Sequence, residues 1–277
     1  MRLPFRIDNS DGHAIRGEVR TPRRGIDRGT IVFCHGFKGF WDWGGFPYFL
    51  DAATAAGFYA VAFSFSGSGV SEGDRVDEPE RFAENTYTRQ VRDLEEVVRA
   101  LRGGVLPPFG RKPGRIGIVG HSMGGGVAIL YAANDPQIGA LVTWASIATV
   151  ERYPDEVVRD WRARGWTLVT NGRTGQELKM STAILDDIDA NRERLDIVGA
   201  ARRLAMPVLI VHGRADESVP VAEAATLAAA ASGRAEQLLL DGEGHTFGST
   251  HPFRGPSNGF DVVVSATIRW FGAHLSV

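Results

Sequence analysis

The chain predicts an α/β fold, a mostly parallel central sheet flanked by helices and interrupted by one small insertion. Three observations carry that expectation. Short apolar runs alternate with helix-patterned stretches over most of the 277 residues, the arrangement of βα units on a parallel sheet. The stretch Gly120-His121-Ser122-Met123-Gly124 joins one such run, 115–119, to the helical pattern that opens at Gly125. Two later apolar runs, 207–211 and 237–240, each end in a loop bearing a carboxylate and a histidine, and sites on such sheets gather at the carboxyl ends of strands.

The elements follow in order. Residues 3–8 and 14–20 predict an opening hairpin around the turn-forming Asn9-Ser10-Asp11-Gly12. Residues 31–34 predict a buried strand, 47–56 a helix closed by Gly57, and 59–63 the next strand. Within 86–101, Val91, Leu94, Val97, Val98 and Leu101 recur at the three-and-four spacing of an amphipathic helix. The strand 115–119, the helix after Ser122 and the strand 140–144 come next. The pattern resumes with a strand at 207–211, an alanine-rich helix at 221–231, a strand at 237–240 and a closing helix at 262–274.

Between 148 and 203 the alternation breaks. This stretch is more charged and carries Trp161 and Trp166. Extended runs at 166–170 and 176–180 flank Asn171-Gly172, which predicts a β-hairpin. The segment is too short to bury much core alone. The expected organisation is therefore a core of residues 1–147 and 204–277 with a lid or cap insertion at 148–203.

Composition narrows the function classes. The formal net charge of −2 gives no field favouring nucleic acid or an anionic membrane, and the pairs Arg23-Arg24 and Arg202-Arg203 read as solvated surface. Cys34 is the single cysteine, which excludes an internal disulfide; in its apolar run it reads as a small buried hydrophobe. The seven histidines show no metal-ligand spacing, and Gly67-Ser68-Gly69 lacks the rest of a dinucleotide fingerprint. No run approaches the roughly 18 apolar residues of a membrane helix, and the first residues lack the apolar core of a signal peptide. The expectation is a cytoplasmic protein with no cofactor, metal, nucleic-acid or membrane partner, acting on a small molecule, with homo-oligomerisation left open.

The pentapeptide suits a nucleophile elbow. Its serine needs a strained, exposed apex, and glycine on either side removes the collisions a side chain would make. A serine hydroxyl becomes a useful nucleophile when a base takes its proton and a third group orients that base. Asp216 follows the strand at 207–211 and His245 follows the strand at 237–240, which puts the three in the order Ser122, Asp216, His245. His212 reads as a structural strand-end histidine, and His251 lies one loop beyond His245 and is restricted by Pro252. Glu217 would face away from Asp216, and Asp241 reads as a turn cap. Met123 N–H is one expected oxyanion donor; Phe37 N–H, in the loop after 31–34, is the other, with Gly36 permitting close approach and His35 supporting the loop. Phe40, Trp41, Trp43, Phe46 and Tyr48 either line a pocket or pack the following helix.

His35-Gly36-Phe37, Ser64–Gly73, Gly120–Gly124, His212–Asp216 and Gly244–Phe247 together resemble, in order, the landmark loops of the α/β-hydrolase superfamily over nearly the whole chain. Within it the chain is similar to the serine esterase and acyl-aminopeptidase-like branch, including bacterial cinnamoyl and feruloyl esterases with a small lid. The resemblance implies an α/β-hydrolase fold, a Ser122–His245–Asp216 triad, an oxyanion hole from Phe37 and Met123, and carboxylic-ester hydrolysis through an acyl-enzyme on a small-molecule ester. Acyl-aminopeptidase or thioesterase chemistry would use the same triad; in the former, Glu151, Asp155, Glu156 or Asp160 would hold a substrate amine. A non-catalytic binding protein of this fold is the reading from another class. Substrate choice is expected to lie with 148–203 and the aromatic loop.

Overall fold

The opening hairpin forms as its turn residues dictate. In the computed structural model, which describes residues 1–22, 27–108 and 110–275, β1 (Arg2–Asp8) and β2 (Ala14–Arg20) pair antiparallel, from Arg2 opposite Arg20 to Asp8 opposite Ala14. Asn9 Oδ1 accepts from the N–H groups of Asp11 and His13 at 3.0 and 2.9 Å, a side-chain turn that closes the hairpin. The Arg23-Arg24 pair lies outside the described residues.

Six further strands complete this sheet among the described residues: β3 (Thr30–Cys34), β4 (Tyr59–Ser64), β5 (Ile116–His121), β6 (Ile138–Trp144), β9 (Val208–Gly213) and β10 (Ala235–Leu240). Between β6 and β9 the chain forms a separate two-stranded antiparallel unit, β7 (Trp166–Asn171) and β8 (Gln176–Ser181). The order across the large sheet is β1-β2-β4-β3-β5-β6-β9-β10. Only β1 with β2 and β2 with β4 run antiparallel; every other neighbour is parallel. The expected mostly parallel sheet is the one observed.

Alternation along β3 explains why helices cover both faces. Ile31 and Phe33 point into one apolar layer, with α1 (Phe46–Ala55) and α9 (Asn258–His274). Val32 and Cys34 point into the other, with α3 (Tyr87–Arg102) and α4 (Met123–Ala132). All ten residues of α4 are buried, so this helix runs through the interior. α3 begins where Thr86 Oγ1 accepts from Arg89 N–H at 3.1 Å, and α9 where Ser257 Oγ accepts from Phe260 N–H at 3.0 Å; each cap satisfies an N–H that has no helical partner.

The segment between β6 and β9 holds the expected hairpin and more. α5 (Asp155–Arg164), α6 (Ala183–Ala190) and α7 (Ile197–Arg203) also form there, and a short α2 (Pro79–Ala83) precedes α3. In α5 only Trp161 is buried, so its charged, exposed residues present no broad apolar face to read from the sequence. Trp161 is fully buried, edge-on to Tyr153 at 5.1 Å, and donates from Nε1 to the Ser181 carbonyl at 3.1 Å. It packs the segment together. The buried face of α3 includes Gln90, Asp93 and Glu96 besides the apolar stripe, whereas Val91 is only half-buried. Asp93 is accommodated because Asn9 Nδ2 and Ser66 N–H donate to it at 2.8 and 2.7 Å. No described helix is long and apolar enough to cross a membrane.

Phe33 sits at the centre of the aromatic layer, with ring centroids 4.4 Å from Phe46, 5.8 Å from Phe49 and 5.5 Å from Trp144. Phe33→Ala is expected to lower the unfolding free energy by about 3–5 kcal/mol, read from urea denaturation; a loss below about 1 kcal/mol would contradict the packing described.

Candidate active site

The β5–α4 junction is a tight strand-to-helix turn with Ser122 at its apex. Ser122 has φ 56° and ψ −121°, a sparsely populated conformation for a residue with a Cβ, costing on the order of 1–3 kcal/mol. The turn persists because its surroundings leave no alternative. A Cβ on Gly120 would come within 2.4 Å of the Gly124 carbonyl oxygen, and one on Gly124 within 2.3 Å of the His35 carbonyl oxygen. Ser122 N–H donates to the Trp144 carbonyl at 2.9 Å, and the Ser122 carbonyl accepts from Gly125 N–H at 2.9 Å. Gly36 completes the contact from the β3 loop, since a Cβ there would meet the Ser122 Cβ at 2.9 Å.

The loops after β9 and β10 meet over this apex. Arg214 N–H donates to the Leu240 carbonyl and Ala215 N–H to the Glu243 carbonyl, both at 2.9 Å. These bonds bring Asp216 and His245 together, 29 residues apart, with Asp216 Oδ2 accepting from His245 Nδ1 at 2.8 Å. The acceptor places the proton on Nδ1, so neutral His245 keeps Nε2 free to accept one. Asp216 Oδ1 accepts from the N–H groups of Ser218 and Val219 at 2.8 and 2.9 Å. Burial works to raise the Asp216 pKa, but hydrogen bonds from His212, His245 and Val219 outweigh it and hold the carboxyl well below the usual carboxylate range.

His212 is buried and structural, as expected, but its contact is with the acid. Its Nε2 lies 2.9 Å from the Val219 carbonyl and 3.3 Å from Asp216 Oδ2, so this strand-end histidine fixes the carboxylate's orientation. His35 supports the β3 loop by donating from Nδ1 to the Gly36 carbonyl at 2.8 Å and accepting Phe65 N–H on Nε2 at 3.1 Å. His251 Nδ1 accepts from Gly44 N–H at 2.9 Å. Glu217 is exposed. Asp241 pairs at the surface with Arg214 at 2.8 Å.

Ser122 and His245 line one cavity of about 240 Å³, together with Gly36, Phe37, Trp43 and Phe46 from the β3–α1 region. The aromatic loop thus divides its work. Phe37, Trp43 and Phe46 face the cavity, whereas Phe40 is buried in the core and Tyr48 donates to Asp261 at 2.8 Å. The Met123 side chain turns inward, its Sδ 3.2 Å from Gln90 Nε2; its N–H opens α4, where helical N–H groups have no intrahelical acceptor. Glu151, Asp155, Glu156 and Asp160 are not among the cavity-lining residues; Glu151 pairs with Arg192, and Asp160 with Arg164 at 3.6 Å.

Sequence reasoning missed two sets of residues here. His121, inside the pentapeptide, donates from Nε2 to the His245 carbonyl at 3.1 Å and packs its ring 4.8 Å from that of His245. Burial and then the neighbouring His245 push its pKa down to about 3. Its position next to the serine was the only signal. Lys38, Asn171, Gly172 and Arg173 also line the cavity, and no sequence pattern places the turn of a distant hairpin there.

A model of the alpha/beta hydrolase family matches residues 31–255. The chain belongs to that family. An uncharacterized 31.7 kDa Escherichia coli protein from the traX-finO intergenic region is 30% identical over 140 residues, covering 50% of this chain and 44% of that protein. The 2,6-dihydropseudooxynicotine hydrolase of Paenarthrobacter nicotinovorans is 26% identical over 131 residues, covering 47% of this chain and 30% of the relative. The matches thus span less than half of each curated relative. Est1E from Butyrivibrio proteoclasticus, solved with ferulic acid bound, superposes with a TM-score of 0.74 at 18% identity over 98% of both chains. That likeness shows the alpha/beta hydrolase fold.

His35 makes the stability of this alpha/beta hydrolase pH-dependent. Burial lowers its pKa to about 4, partly offset by the Gly36 hydrogen bond, while an unfolded chain binds the proton near about 6.5. Stability is therefore lost as pH falls from about 6.5 towards 4, with a slope of up to about 1.4 kcal/mol per pH unit from this group. His35→Gln is expected to flatten that slope in urea titrations at pH 7, 5.5 and 4.5; an unchanged slope would show that His35 does not carry it.

Proposed function

We propose that this protein is a serine hydrolase of small-molecule carboxylic esters, with Ser122 as nucleophile, His245 as general base and acid, and Asp216 as the group that orients the histidine. The observation that carries the reading is the convergence of a strained serine and an Asp216-bound histidine on one cavity. Ser122 Oγ attacks the ester carbonyl as His245 Nε2 takes its proton. The resulting imidazolium returns that proton to the departing alcohol, leaving an acyl-Ser122 ester. Water then attacks the acyl carbon, gives its proton to His245, and Ser122 leaves with that proton restored.

Asp216 stays ionised throughout, because its hydrogen bonds hold its pKa down and the one from His245 grows stronger as that ring becomes an imidazolium. The N–H groups of Phe37 and Met123 supply the oxyanion hole, the second by standing at the start of α4. Residues 148–203 act as a cap over the core 1–147 and 204–277, and reach the cavity through Asn171–Arg173. An acyl-aminopeptidase would need a carboxylate to hold the substrate amine, and among the described residues no acidic side chain lines this cavity; ester hydrolysis makes no such demand.

Ser122→Ala is expected to abolish turnover of p-nitrophenyl acetate and butyrate with the far-ultraviolet circular dichroism unchanged; persistent turnover would remove Ser122 from the reaction. Asp216→Asn is expected to lower kcat by roughly three to four orders of magnitude, and a near-wild-type rate would place the orienting acid elsewhere.

A further inference from the structure

The cavity beside Ser122 is cationic. Lys38 and Arg173 both line it, and among the described residues no acidic side chain does. The two come from different elements, Lys38 from the loop after β3 and Arg173 from the β7–β8 turn. Each is held in place. Lys38 Nζ donates to the Thr170 carbonyl at 3.0 Å. Arg173 Nη2 donates to the Asp74 carbonyl at 2.5 Å, and the guanidinium lies 4.9 Å from the Phe40 ring centre.

Neither cation is neutralised at close range. Among the described residues no carboxylate oxygen lies within 4.0 Å of either head group; the Asp74 carboxylate sits 3.7 Å from His251 Nε2 and is about half exposed. Burial lowers both pKa values. Arg173 lowers that of Lys38 further, while Asp74 partly offsets the effect on Arg173. Two like charges in a half-buried cavity each gain from an anion placed between them.

Two of the lining residues also carry unused donors. Arg173 Nε is buried without a partner, and so is Asn171 Nδ2. Asn171 is only 2% exposed, and it lines the cavity. Buried donors left unmade are costly and are uncommon in folded proteins. A carboxylate offers two oxygens with several acceptor sites, enough to satisfy an ammonium, a guanidinium edge and an amide together. A volume of about 240 Å³ lies just below the usual range of roughly 300–1,000 Å³ for ligand sites, so the group that enters is short.

We propose that the substrate ester carries a carboxylate, which Lys38, Arg173 and Asn171 Nδ2 receive in the cavity beside Ser122. The assignment rests on Ser122 being the acyl acceptor, as above. The carboxylate is a spectator: water supplies hydroxyl to the acyl carbon, the alcohol leaves with a proton, and the binding anion is unchanged. It stands on the acyl side, as in a dicarboxylic hemiester, or on the alcohol side, as in an acylated hydroxy acid.

Two matched pairs of alkyl esters test this on the whole protein. Monomethyl glutarate is compared with its terminal-amide isostere on the acyl side, and O-acetylglycolate with O-acetylglycolamide on the alcohol side, by titrating released acid. The acid member of one pair is expected to show about tenfold higher kcat/KM, carried mainly by KM and reduced by raising the salt from 0.05 to 0.5 M; which pair responds identifies the side. Lys38→Gln and Arg173→Gln are each expected to lower that ratio, and Arg173→Lys to preserve part of it. Arg173 and Lys38 each also hold the hairpin, through the Asp74 and Thr170 carbonyls, so the reading is the acid-to-amide ratio within each variant, which a loss common to both substrates leaves unchanged. A ratio below about threefold on both pairs, or one that survives in the Lys38→Gln, Arg173→Gln double variant, overturns the proposal. Ser122→Ala separates the two levels. If hydrolysis of the neutral esters depends on Ser122 but shows no acid preference, the carboxylate site alone fails; if it does not depend on Ser122, the nucleophile assignment fails.

Discussion

The close approach of two backbone segments at the β5–α4 turn is the constraint on which the site depends. The His35 carbonyl stands where a Cβ of Gly124 would be, and the Gly124 carbonyl stands where a Cβ of Gly120 would be. With those side chains absent, the β3 loop can lie against the elbow and Ser122 can hold φ 56°. Everything placed near the serine inherits this contact: Gly36 and Phe37 on one side, the start of α4 on the other, and the end of β6 through the Ser122–Trp144 hydrogen bond. The strain at one residue is sustained by a core in which all of α4 is buried and the aromatic layer of Phe33, Phe46, Phe49 and Trp144 backs the sheet.

A second constraint is electrostatic. A buried carboxylate is costly unless hydrogen-bonded, and Asp216 is surrounded by four donors: two backbone N–H groups, His212 and His245. Those bonds settle its charge and the tautomer of His245 together. His121 adds a tie from the elbow to the His245 backbone, so the Ser122 and His245 loops are linked through this ring as well as through the sheet. Depressed histidine pKa values at positions 35 and 121 share a cause, burial beside the elbow.

The segment between β6 and β9 adds to the sheet a unit that reaches the Ser122 cavity. Its helices and Trp161 give it packing of its own, and its hairpin carries Asn171 and Arg173 to the serine's cavity. The contacts that hold Arg173 there come from the core, the Asp74 carbonyl and the Phe40 ring. Position and charge are therefore set by different parts of the chain.

Much of the fold was legible in the residues alone. Apolar runs located β3, β4, β5, β6 and β9, because a strand buried on both faces reads as such a run; turn residues placed the β1–β2 hairpin, and glycine at 120 and 124 reported a turn that admits no Cβ. The order of Ser122, Asp216 and His245 named the candidate site because each follows a strand whose direction the pattern implies. Helices such as α5 and α6 escaped, since α5 buries Trp161 alone and the burial of Ile184, Leu185 and Ile188 in α6 is decided by neighbours. The roles of His121 and His212, the split of the aromatic loop between cavity and core, and the entry of Lys38 and Arg173 into one cavity were decided only by tertiary structure. Each depends on distances between residues far apart in the chain, and those distances are set by packing rather than by any local preference.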